Sequence, residues 1–100
     1  MARKTKKVEI EGKKFIITEL DCLKARKIFV LMSDKENQAN NQDEVMKLLF
    51  ENVELETESG ALIPLDTEEV IVQNLSLLGL LKLEKEASDL TFGFLTSGES

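Results

Sequence analysis

The sequence predicts an α+β fold, mostly α, with an N-terminal β-hairpin packed on a small bundle of about three helices. Three observations carry that expectation. Residues 6–18 alternate apolar and polar side chains around a glycine, the pattern of paired strands. Two later stretches repeat apolar residues at i, i+3, i+4 and then i+7 or i+8, the stripe of a helix buried on one side. Thr67 to Leu83, TEEVIVQNLSLLGLLKL, carries nine large aliphatic residues and, wound as a helix, leaves no wide polar face. Such a helix needs cover on every side, which makes it the expected centre of a single domain spanning 1–100.

In chain order, residues 1–5 form a basic arm. The hairpin follows over 6–18, KKVEIEGKKFIIT. A Gly12-Lys13 loop gives a type II′ turn and pairs Ile10 with Phe15 and Val8 with Ile17, so that all four share one face. The alternative Glu11-Gly12 loop opposes Ile10 to Lys13 and Ile17 to Lys6, a poorer match. A hairpin alone is marginal in water, so this face needs a helix against it. Thr18 or Asp21 caps a first helix over 19–33, with Ala25, Ile28, Phe29 and Met32 as its buried stripe and Leu20 and Leu31 beside it.

Residues 34–42, lacking any large apolar side chain, read as a polar loop. As a calcium loop the stretch fails, with Ala39 where glycine belongs and Val45 where a glutamate belongs. Asp43 then caps a second helix over 43–56, striped by Val45, Leu48, Leu49 and Val53 and stopped by Ser59-Gly60. Ala61 to Leu65 is a short extended connection around Pro64. The central helix, opened by Asp66 with Glu69, spans 66–86, and residues 88–100 form a tail.

The composition excludes several classes of function. The basic start MARKTKK leads into alternating residues, which predicts no secretory leader, and no apolar run is long enough to span a membrane. The lone Cys22 predicts a reducing compartment without an intrachain disulfide. With no His, the commonest general base and metal ligand are missing, and no Ser or Cys lies in a nucleophile motif. The sequence therefore predicts a protein that is not an enzyme and uses no metal or cofactor. Paired acids such as Asp43-Glu44 and Glu68-Glu69 fall where helix N-termini favour negative charge.

Residues 1–30 hold nine Lys/Arg against four Asp/Glu, whereas residues 31–100 hold four against fifteen. The split reads first as a solubilising tail and solvated helix faces, and copies with such opposed ends could also attract head to tail. A basic arm without interleaved aromatics is a poor nucleic-acid reader, so that role ranks third. The central helix has more apolar surface than the other elements can cover, which predicts a binding surface. Its side bearing Val72, Ser76, Gly79, Leu80 and Leu83 has small residues at the middle, where a second copy could approach for self-association. Leu90, Phe92, Phe94 and Leu95 in the tail are either core or a partner-binding peptide.

A short basic start, the hairpin VEIEGKKFIITEL, the helix LDCLKARKIFVLM, a polar loop and two further helices together resemble the phage tail assembly chaperones, specifically the small first-frame chaperones of long-tailed bacteriophages. The resemblance covers residues 6–95 and rests on segment order rather than a diagnostic motif. It implies a non-enzymatic, homo-oligomeric protein of the host cell cytoplasm. Such a protein binds and solubilises the tape measure protein and helps recruit tail tube protein during assembly. The alternative function is a small acidic regulatory or inhibitory module that binds one protein as a discrete monomer or dimer.

Overall fold

The hairpin turn and a break in the long apolar segment meet one another, and that meeting organises the fold. The computed structural model describes residues 3–96, with side chains from residue 3 to residue 93. The strands are β1 (Thr5–Ile10), β2 (Lys13–Thr18), β3 (Val53–Glu56) and β4 (Leu62–Pro64). The helices are α1 (Cys22–Ser33), α2 (Gln38–Phe50), α3 (Glu68–Asn74) and α4 (Leu77–Thr96). The strands form one antiparallel sheet in the order β1-β2-β3-β4, so the class is α+β, mostly α, with the N-terminal hairpin as half of a four-stranded sheet beside four helices.

The hairpin adopts the register with Glu11-Gly12 as its loop, not Gly12-Lys13. Val8 faces Phe15, Ile10 faces Lys13 and Lys6 faces Ile17. Glu11 and Gly12 both have positive φ, 54° and 79°, the type I′ turn whose twist suits flanking strands. The two registers differ by an even number of positions, so the faces survive: Ile10, Phe15 and Ile17 are buried and Val8 is half-buried beside them. Lysines on that apolar face are tolerated because their ends find partners above it. Lys6 Nζ lies 2.6 Å from Glu86 on α4, and Lys13 Nζ donates to the Asn74 carbonyl at 3.0 Å.

Asp21, rather than Thr18, caps α1, accepting from the Lys24 amide at 2.9 Å. That hydrogen bond holds its carboxyl below the ordinary range. Only Ile28 of the helix is fully buried, while Phe29 and Met32 are about half exposed, because α1 packs chiefly against α2. The expected polar loop is shorter than residues 34–42. α2 begins at Gln38, and its polar first turn escapes an apolar-periodicity reading because it serves the end of α1. Asn41 Nδ2 donates to the Leu31 carbonyl at 3.1 Å and Gln38 Nε2 to the Met32 carbonyl at 3.5 Å.

The second helix does not reach residue 56. It ends at Phe50, and Val53–Glu56 is a strand with Val53 and Leu55 buried and Glu54 and Glu56 half-buried between them. Val53 fits a helix stripe as the residue four after Leu49, whereas its alternation with Leu55 fits a strand, and pairing with β2 and β4 decides for the strand. Gly60, at φ 88°, turns the chain into β4 instead of stopping a helix. Pro64 lies on this edge strand, where a missing N–H is tolerated.

The central segment is two helices, not one over 66–86. Thr67, rather than Asp66, caps α3 through the Val70 amide, and Leu75 is extended at φ −134°, ψ 137°. Ser76 then caps α4, its Oγ accepting from the Gly79 amide at 3.2 Å. The hairpin turn holds this break from both sides. The Glu11 carboxylate accepts from the Ser76 amide at 3.1 Å and from the Ser76 hydroxyl, placing an anion at the start of α4. Lys13 meets the last carbonyl of α3 with a cation. A segment apolar all round is thus resolved as two helices with differently directed buried faces, Ile71 on α3 and Leu83 on α4. α4 continues through Thr96, so residues 88–96 are helix rather than tail.

The core joins Phe15, Ile17, Val53 and Leu55 of the sheet to Leu83 and Ala87 of α4 and to Leu48, Leu49 and Phe50 of α2. Buried Thr91 accepts a hydrogen bond from the Leu20 amide at 3.2 Å, tying the hairpin exit to α4. No helix among the described residues is long and apolar enough to cross a membrane.

Candidate functional site

α4 turns Leu83 and Ala87 into the core, so its first turns present Leu77 and Leu81 on a different side, toward α2. There they form one wall of an apolar groove of about 600 Å³. Val45, Met46 and Leu49 of α2 form its opposite side, and Met32 at the end of α1 closes one flank. Leu49 is buried and Val45, Met46 and Leu80 half-buried, whereas Leu77 is 72%, Leu81 54% and Met32 48% exposed. Large aliphatic side chains this open, grouped along one concavity, are what a docking surface requires and a finished core does not. Two methionines add unbranched, polarizable side chains that adapt to different apolar shapes.

The rim is polar. Asp43, Gln38 and Gln42 come from α2, and Glu84, Lys85 and Ser88 from α4. Glu84 is half-buried, and that burial raises its carboxyl above the ordinary value. Lys85 Nζ is 3.4 Å from Asp89, one helical turn along. Among the described residues no cluster of three or more His, Cys, Asp or Glu could hold a metal ion.

The residues predicted for self-association do not form one face. Val72, on α3, is 75% exposed. Ser76 is engaged by Glu11. Gly79 is buried, and a Cβ there would require the Glu11 carboxylate to shift from its place at Ser76. Leu83 is fully buried and closed to any partner, leaving Leu80 as the member that reaches the groove. The physical reason is the break at Leu75, which changes the phase between Val72 and the residues of α4. Leu90 and Phe92 are half-buried and pack against the core on a helix, not on an extended peptide. The side chains of Phe94 and Leu95 lie outside the described residues.

Sequence reasoning missed Leu77, Leu81, Met32 and Met46 as a group. Leu77 and Leu81 had a usable signal, an i, i+4 pair following the serine cap Ser76. Met32 and Met46 join them only through tertiary packing. Comparisons with protein-family models, curated proteins and solved structures give no match to this chain.

Proposed function

We propose that this chain is a non-enzymatic protein-binding assembly factor of the host cytoplasm, acting as a phage tail assembly chaperone. Its groove takes an apolar helical segment of the tape measure protein, and the complex helps recruit tail tube protein. The observation that carries the binding reading is the exposure of Leu77 and Leu81 beside the groove between α2 and α4. A helix laid across the groove inserts anchors at i, i+3 or i+4, and i+7, and masks its own apolar stripe in doing so. The assignment to tail assembly comes from the resemblance in segment order. Self-association belongs to the same reading, with Val72 and Leu78 as exposed aliphatics outside the groove.

Genomic neighbourhood and co-expression test the proposal together. A tail tube gene should lie upstream and a very long helical reading frame downstream. Co-expression with that frame's product should raise its soluble yield, and L77E/L81E should abolish the gain while the variant stays folded. No effect of the wild-type chain on solubility would contradict the chaperone role. Saturation at one copy per partner chain would favour the discrete regulatory module, because a chaperone coating a long helical protein binds in many copies.

A further inference from the structure

The charges on the groove specify what its occupant carries, an inference that rests on the groove being a docking surface. Glu84 stands on the α4 wall and Asp43 on the α2 wall, so a segment lying along the groove passes between two carboxylates. Neither pairs with a cation among the described residues, where the ion-paired acids are Glu51, Glu56, Glu68, Glu86 and Asp89. Lys85, the cation on the same rim, is directed to Asp89. Glu84 is half-buried beside apolar side chains and Asp43 is exposed. A neutral partner covering the groove would take both carboxylates out of water without a counter-charge, which is unfavourable. We propose that the groove takes a basic amphipathic helix, whose apolar anchors enter beside Leu81 and whose Lys or Arg, about one turn away, meets Glu84 and Asp43.

This chain has a basic helical face of its own on α1, where Leu23 and Val30 are exposed around Arg26 and Lys27. It fits the groove poorly. Its two aliphatics stand seven positions apart with cations in the turn between them, where a groove-filling helix carries its middle anchor. The observations therefore favour a foreign helix over a second copy.

The test uses three lactam-stapled helical peptides of about four turns, each with leucines at i, i+4 and i+7. They differ only in flanking Lys, Gln or Glu, and binding is read by fluorescence anisotropy. The Lys peptide should bind the full chain about tenfold more tightly than the Gln peptide, and the Glu peptide more weakly than either. Raising ionic strength from about 0.05 M to about 0.5 M should narrow the difference. D43N/E84Q should bring the Lys peptide to the Gln level. E9Q/E54Q, which removes the same charge from the opposite face of the sheet, should leave the preference intact. Equal binding of the three peptides, all lost in L77E/L81E, would overturn the charge inference and leave the groove reading standing. Binding indifferent to L77E/L81E would overturn both. Self-association of the peptide-free chain that D43N/E84Q abolishes would make a second copy the occupant and overturn the foreign helix.

Discussion

Leu81 and Leu83 lie two residues apart on α4, yet Leu83 is fully buried and Leu81 is 54% exposed. Leu83 faces the sheet with Phe15, Ile17 and Leu55, and Leu81 faces a groove that no described residue fills. The same residue type thus has two roles on one helix. One side of α4 closes the fold, and the other leaves apolar surface exposed. The difference teaches that the leucine content of a helix measures its need for cover, while the supply of cover is a property of topology.

Truncation should separate the two sides most sharply. Leu83→Ala should cost about 2–5 kcal/mol of unfolding free energy, the range for a large aliphatic removed from a close-packed core. Leu81→Ala should stay within about 1 kcal/mol, since little around it is lost. Urea denaturation of the two variants measures both values, and equal losses would erase the distinction. Next in size is L77E/L81E, which should preserve the far-ultraviolet circular dichroism and shift Tm by only a few degrees. Its effect should appear in partner binding.

The clip between Glu11 and Ser76 holds the groove wall in place, and it should titrate. Hydrogen bonds from Ser76 keep the Glu11 carboxyl below its ordinary value of 4.5. Its contribution is therefore full above that value and lost as pH falls through the depressed folded value. Glu11→Gln should lower Tm at neutral pH and flatten the acid limb of the stability curve. Glu84 has the opposite sign and a smaller expected effect. Burial raises its carboxyl, so the folded state loses stability as pH rises from 4.5 through the raised value, and Glu84→Gln should gain slightly at neutral pH. Thermal unfolding between pH 3 and pH 8 distinguishes the two; a shared direction would contradict the assignments.

The hairpin was legible in its faces because a strand's period of two survives an error of turn placement that changes the register by an even number. Its turn was not legible, since the choice of Glu11-Gly12 is supported by Ser76, sixty-five residues away. Asp21 was readable as a cap because its bond to Lys24 is local. Val53 and Leu55 were ambiguous until β2 and β4 paired with them. The break at Leu75 had only weak local signals in Asn74 and Ser76, and it decides which side of α4 faces the groove. The site was therefore readable as surplus apolar surface, but its location depended on contacts distant in sequence.

Methyl NMR of the full chain, titrated with the Lys-flanked leucine peptide, tests the division of α4 most directly. Resonances of Met32, Met46, Leu77 and Leu81 should shift together with saturation, while those of Leu83 and Leu55 stay in place. Shifts centred on α3 or the outer face of the sheet, or no shifts at concentrations where L77E/L81E is also silent, would contradict the groove as the binding surface.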